Sequence, residues 1–369
     1  MPLTQVSPGL LDTQANAQGF RNRIINGDCR VDQRNAGASV SGTSGVYTVD
    51  RWKVQNNSGS ARFNVQRNAG GVTPPVGFTN YLGITSTGAY SVASTDVIGI
   101  QQLVEGFNTA DFGWGASGAA TITLSFWVRS SLTGTFGGAI LEGNAATASY
   151  PFSYTISAAN TWEQKTVTVA GPTIGTWQTG SSTSIQLLFS MGTGSTYLGT
   201  AGSWSASSFY GATGQTNMVG TNGATFYITG VQLEKGTAAT DFERLDYGRQ
   251  LMQCQRYFCK TMDQNTVPAN GLSGGANGYI YITPNATNAK VAATWKYPVT
   301  MRAAPTITTY GYAGATSNTW RNIDNSNNGP TITAFNTGQE MVGLYGDGTV
   351  TAWTAGQGYI GAATASAEL

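Results

Sequence analysis

Thr121–Arg129 reads TITLSFWVR, and its alternation is that of a β-strand. Ile122, Leu124, Phe126 and Val128 fall on one face. Thr121, Thr123, Ser125, Trp127 and Arg129 fall on the other. One face packs while the other can stay wet, as in an antiparallel sheet covered on one side. Working outward, similar short runs recur between turns rich in Gly, Ser, Asn and Thr: Ala61–Gln66, Lys165–Val169, Ile185–Met191 and Ala224–Leu233. Their spacing predicts an all-β sandwich over residues 21–240. The stretch Thr166–Leu233 contains no Asp, Glu, Lys or Arg, but it holds Trp177, Tyr197, Trp204, Phe209, Tyr210 and Tyr227. A solvated helix cannot be built from such a stretch, whereas strands and aromatic-tipped loops can.

The character changes at Glu234. Nine of the chain's 37 charged residues lie between Glu234 and Lys260. Asp246 reads as a helix N-cap, and Tyr247, Leu251, Cys254 and Phe258 follow as one apolar stripe. This predicts a linking helix within residues 241–260. At about 13 residues it is too short to stand alone, so it must pack on a domain or on copies of itself. Residues 261–369 return to strands, expected at Tyr279–Ile282, Val291–Trp295, Pro305–Tyr310, Pro330–Phe335, Met341–Tyr345 and Thr349–Trp353. A smaller C-terminal β-sandwich of ordinary domain size fits them. Residues 1–20 read as an N-terminal docking arm: Pro2, Pro8 and Gly9 break regular structure, and Leu3, Val6, Leu10 and Leu11 are isolated apolar anchors.

Composition narrows the function. The chain has 369 residues, of which 49 are Gly and only 10% are charged, with a net charge of +1. Aromatic residues reach 11%, too many for a disordered chain. The neutral balance argues against a nucleic-acid binder, which needs a basic surplus. There is no His, which removes Ser-His-Asp and Cys-His mechanisms and His-ligated zinc. Cys29, Cys254 and Cys259 do not form a disulfide framework, in keeping with assembly in a host cytoplasm. The first 20 residues lack a secretion signal, and no run approaches the roughly 20 apolar residues of a membrane helix. Membrane insertion is therefore not expected, and if the protein works outside a cell it leaves by a route other than secretion, such as lysis.

Three groups of segments carry a resemblance. The first is Asn22–Arg34 (NRIINGDCRVDQR) with Tyr47–Lys53 (YTVDRWK). The second is Thr121–Ser130 with Tyr150–Tyr154 (YPFSY) and Thr161–Val169. The third is Gly230–Glu243 (GVQLEKGTAATDFE) running into Leu251–Tyr257. In this order they resemble tail-fibre and related appendage proteins of tailed bacteriophages. In those proteins a jelly roll like that of carbohydrate-binding modules precedes a connecting helix and a C-terminal oligomerising β-domain. The resemblance implies a virion structural protein assembled as a homotrimer, whose partners are other virion proteins and host surface polysaccharide. A capsid decoration or head-fibre protein is the first alternative, and a polysaccharide-cleaving tailspike the second.

A jelly roll offers a ligand its concave sheet face and the loops at one edge. Trp114 (FGWGASG), Trp177 (GTWQTG) and Trp204, with Phe209 and Tyr210 (GSWSASSFY), sit in Gly/Ser-rich loops. These five are the candidate ligand-binding residues, because sugar rings stack on flat aromatic faces. The alternative is that the rings plug the sandwich ends or a subunit interface. Trp127 suits either core or contact, and Trp52 and Trp162 read as core. No catalytic residues are expected. A glycosidase needs two acids at a fixed separation, and only Asp111, Glu142 and Glu163 lie between Gly106 and Ile228. No cofactor is expected, although jelly rolls of this family often hold one structural calcium, for which the resemblance makes Asp28 a candidate ligand. Asp324–Gly329 opens like a calcium loop but has Phe335 at the twelfth position, so it is a turn. The first 70 residues carry eight basic against four acidic side chains, suited either to an acidic partner surface or to scattered solvated Arg.

Overall fold

The computed structural model describes residues 20–143, 146–272, 279–312, 314–315 and 317–369. All but the last residue of the expected docking arm lies outside them. The first unit is built from β1 (Val40–Ser41), β2 (Trp52–Asn56), β3 (Phe63–Arg67), β4 (Leu82–Ser86), β5 (Val97–Glu105), β6 (Ile122–Ser130), β7 (Gly134–Glu142), β8 (Ser149–Ile156), β9 (Glu163–Val169), β10 (Thr183–Thr193), β11 (Leu198–Gly199), β12 (Gly211–Ala212) and β13 (Thr225–Lys235). One sheet runs β1-β3-β4-β13-β6-β9 and the other β2-β5-β10-β7-β8. Strand neighbours within both are antiparallel. The sheets face each other across a core that includes Trp52, Phe63, Ile100, Phe136, Leu187, Phe189 and Phe226. Ile122, Leu124, Phe126 and Val128 are fully buried there, as the alternation of TITLSFWVR predicts. The large unit is the expected jelly-roll sandwich.

The other face of β6 departs from the expectation of a wet surface. Thr123 and Ser125 are buried. The chain leaving β13 folds back across this face: Thr123 Oγ1 donates to Gly236 O at 2.9 Å, Thr240 donates to the Glu234 carboxylate, and Glu243 N donates to Gln232 Oε1 at 2.7 Å. At the other end Trp162 corrects its sequence assignment. It lies outside the inter-sheet core, against Tyr81 and Tyr227 on this outer face, with Nε1 bonded to Thr73 O at 2.9 Å. Two covers therefore flank an uncovered stretch centred on Trp127.

The second unit opens with α1 (Tyr247–Gln255), capped as expected by Asp246, whose carboxylate accepts from Arg249 N at 3.0 Å. The helix is shorter than its apolar stripe suggested, because Phe258 already belongs to a strand. Then come β14 (Phe258–Lys260), β15 (Ile280–Ile282), β16 (Lys290–Lys296), β17 (Thr306–Gly311), β18 (Thr319–Asn322), β19 (Asn328–Thr331), β20 (Thr333–Phe335), β21 (Met341–Asp347) and β22 (Tyr359–Ser366). β22 pairs with β14, β15, β17 and β18, and a three-stranded sheet β16-β21-β20 covers the other side of the core. Thr349–Trp353 is not a strand, because Trp353 turns inward to pack on Trp320 and Tyr359.

The helix finds its partner within its own chain. Cys254 and Leu251 pack with Ile25, Val31 and Tyr257, which removes the need for a second copy as the reason the helix is stable. The segment Asn22–Arg34 is locked between the helix and β13. Asn22 bridges Val231 O at 3.1 Å and Leu233 N at 3.1 Å. Gly27 is required because a Cβ there would lie 2.1 Å from Val231 O.

Most of the basic residues of the first 70 are paired with carboxylates of the chain rather than displayed. Arg30 pairs with Asp28 at 2.6 Å, Arg23 with Asp111 at 3.0 Å, and Arg34 and Arg51 both pair with Glu368. Asp28, the candidate calcium ligand, spends its carboxylate on Arg30 and on Gln250 Nε2 at 2.7 Å. Among the described residues no three His, Cys, Asp or Glu side chains converge as a metal site, and no helix is long and apolar enough to cross a membrane.

Candidate functional site

Three of the five candidate residues come together. The rings of Trp114, Trp177 and Trp204 meet edge to face, with centroids 4.7, 5.5 and 5.6 Å apart. Trp114 is buried and packs on Phe112, while Trp204 packs on Tyr150. Each indole N–H is spent on a backbone carbonyl: Trp114 on Ala120 O (2.8 Å), Trp177 on Ile174 O (2.9 Å) and Trp204 on Ala170 O (2.6 Å). The sequence expects flat faces offered at loop tips; in the fold Trp177 and Trp204 are half-buried against Trp114. The three rings are turned onto one another and close one end of the sandwich core. Their sites differ from those of the remaining two candidates. Tyr210 packs edge-on to Tyr197 beside Leu188 on the outside of the five-stranded sheet. Phe209 lies over Gly199, next to Pro151.

A different ring is free. Trp127 sits on the outer face of β6, between Thr229 of β13 and Gln164 of β9. Among the described residues its indole N–H has no hydrogen-bond partner and its ring makes no aromatic contact. It stands in a cleft of about 290 Å³ lined by Phe78, Ser125, Trp127, Gln164, Gly230, Asp241, Phe242 and Arg244. Local chain geometry makes this hollow. The pairing of β13 with β6 slips between Thr229 and Gln232, a bulge in which Gly230 takes φ 60°. A Cβ at Gly230 would meet Phe78 Cζ at 2.6 Å and Trp127 Cδ1 at 3.3 Å. Glycine thus lets the two aromatic walls close over the sheet. Phe78 and Phe242 pack edge to face at 5.2 Å, and the Arg244 guanidinium lies 4.6 Å from the Phe78 ring centre.

The chemistry is that of a binding surface. A half-buried indole gives an apolar platform. Around it stand an amide (Gln164), a hydroxyl (Ser125), a carboxylate (Asp241) and a guanidinium (Arg244), able to bond hydroxyls and charged groups. Sequence reasoning left Trp127 open between core and contact. The signal was present: a large ring on the polar face of an alternating strand.

The acids that a glycosidase would need are committed elsewhere. Glu142 is buried and accepts from Thr147. Glu163 bonds Lys165 at 2.5 Å and the N–H groups of Ser157 and Ala158 at 2.8 and 2.9 Å. Desolvation would raise the Glu163 pKa, but these bonds and the Lys165 charge outweigh it and hold it below the usual carboxylate range. Asp111 pairs with Arg23 and Lys235.

No protein-family model matches this chain, and no curated protein matches it. Solved structures overlap parts of it. The enzymatically active domain of tailspike protein 4 from bacteriophage CBA120 aligns at 12% identity and a TM-score of 0.33, over 58% of this chain and 21% of that one. A family 11 carbohydrate-binding module of a cellulosomal cellulase from Clostridium thermocellum aligns at 10% identity and a TM-score of 0.27, over 55% and 96% of the two chains. The xylan-binding module of a Paenibacillus barcinonensis protein aligns at 12% identity and a TM-score of 0.26, over 56% and 99%. At these values the overlap is loose. The description of the chain as all-β, with a jelly-roll sandwich as its large unit, rests on its own two facing sheets.

Proposed function

We propose that this protein is a glycan-binding structural subunit of a bacteriophage virion appendage, acting by attachment and not by bond cleavage. The observation that carries the binding part is the Trp127 cleft: an unpartnered indole on a rigid sheet, ringed by polar side chains. Its lining includes one carboxylate, Asp241, where hydrolysis requires two. The appendage part is supported by the order of the NRIINGDCR, TITLSFWVR and GVQLEKGTAATDFE segments.

Titration with host surface polysaccharide, followed by indole fluorescence, tests the binding reading. Trp127→Ala should cost about 2 kcal/mol, or about 30-fold in affinity, with little change in Tm, because the ring supports no neighbouring ring. Unchanged affinity in this variant removes the cleft from the reading. Release of reducing ends during the incubation would favour the tailspike alternative, and imaging the protein on particles separates tail from head.

The appendage reading also carries a homotrimer. With the helix satisfied inside one chain, the surfaces left for assembly include exposed apolar side chains such as Tyr279, Tyr281 and Val350 and the edge of β9, which among the described residues pairs only with β6. Light scattering at micromolar concentration is expected to give three chains per particle, and a monomer overturns this part.

A further inference from the structure

We infer that the Trp127 cleft selects an acidic polysaccharide, with Arg244 receiving a carboxylate of the sugar. This deepens the glycan-binding reading and rests on it. Arg244 is exposed at the cleft rim, yet it is not a loose surface arginine. Its guanidinium lies 4.6 Å from the Phe78 ring centre and 5.7 Å from that of Phe242. Its Nη2 would be 2.8 Å from a Cβ at Gly77, so the absence of a side chain there admits it. The two rings and the glycine fix the guanidinium plane, while its N–H donors have no ion pair or hydrogen bond among the described residues.

The contrast with the rest of the molecule is chemical. Arg21, Arg23, Arg30, Arg34, Arg51, Arg67 and Arg256 all pair with carboxylates within the chain. Arg244 is held in place and left unpaired beside the free indole. A planar, pre-positioned fork matches a carboxylate in bidentate fashion. Asp241 shares the rim, and its carboxylate also has no partner among the described residues. It repels an anionic group at its own end and can accept sugar hydroxyls instead. The ligand's acid must therefore lie at the Arg244 end, with the sugar ring over Trp127 and hydroxyls toward Asp241 and Gln164. A uronic-acid sugar carries this pattern: one carboxylate beside several hydroxyls.

The test uses the full chain and matched probes: polygalacturonate, alginate and hyaluronate, each beside its carboxyl-reduced form. The intact protein should bind at least one acidic polymer 10-fold or more tighter than its reduced form, and the preference should shrink as salt is raised. Arg244→Gln should abolish the preference with an unchanged Tm. Arg244→Lys should restore only part of it. Asp241→Asn should raise the ratio of acidic to reduced-polymer binding severalfold, because the repulsion at that end of the cleft is removed. Equal binding of acidic and reduced polymers overturns the acidic selectivity and leaves the glycan reading standing. A preference that survives Arg244→Gln also overturns it. Binding of neither form of any probe overturns both.

Discussion

Glu368→Ala is expected to destabilise the protein by about 3–5 kcal/mol, the cost of leaving a buried charge without its partner. The charge in question is Arg51, a guanidinium only 2% exposed. Glu368 pairs with Arg51 and, at 2.8 Å, with Arg34. Arg51 also lies 3.6 Å from the Tyr257 ring centre and donates to Leu103 O at 2.6 Å. Burial is the largest single effect and works against the Arg51 charge, but Glu368 together with Tyr257, Tyr47 and Cys254 outweighs it and raises the pKa above its ordinary value. Removing the carboxylate takes away the largest of these offsets to desolvation.

The damage should spread, because Glu368 lies just beyond β22, the strand on which the C-terminal sheet is assembled. Nearby, Arg256 grips Glu105 at 2.6 and 3.0 Å, and Tyr257 donates to the same carboxylate at 2.6 Å. The two units are thus joined by buried ionic contacts. Urea unfolding of Glu368→Ala should show the loss, and Arg51→Met/Glu368→Leu should recover a large part of it, since both charges leave together. A midpoint within experimental error of the intact protein would mean that Arg51 finds enough compensation from Leu103 and Tyr257 alone.

The second large effect is expected at Trp114. Trp114→Ala should cost about 3–5 kcal/mol, a fall in Tm on the order of 10 °C for a unit of this size. The ring closes the core against Phe112 and supports the edges of Trp177 and Trp204, so its loss opens a cavity that its neighbours cannot fill without leaving their own carbonyl partners. Glycan affinity of the folded fraction should stay unchanged, because the ring is not part of the Trp127 cleft. Lost binding with an unchanged Tm would reverse the assignment and make the three-ring cluster the ligand surface. Thermal melts read before each titration separate the outcomes.

The three groups of segments that carry the phage resemblance acquire a physical meaning in the fold. Asn22, Gly27 and Asp28 of the first join Val231 and Leu233 of the third and Gln250 of the helix. Those residues build the junction, while the second group supplies strands of the sandwich. Among the three groups, Ser125, Trp127 and Gln164 of the second and Gly230, Asp241 and Phe242 of the third also line the cleft.

What the chain encodes locally was legible. Alternation in TITLSFWVR and its companions marks which side chains can be buried together, and Asp246 announces its helix because an N-cap acts within one turn. Where local contrast is missing, reading failed. Tyr359–Ser366 (YIGAATAS) has little apolar–polar alternation, yet it is the central strand of its sheet, and its small residues are what let Trp320 and Ile332 approach Gly361. Tertiary structure alone decided the rest. Arg51 and Glu368 are 317 residues apart, and no local pattern pairs them. Trp114 sits in a Gly-rich loop and Trp127 in an alternating strand, and only the segments arriving from elsewhere bury the first and leave the second open. Alternation is a property of neighbouring residues, whereas the exposure of a ring depends on what distant chain packs over it.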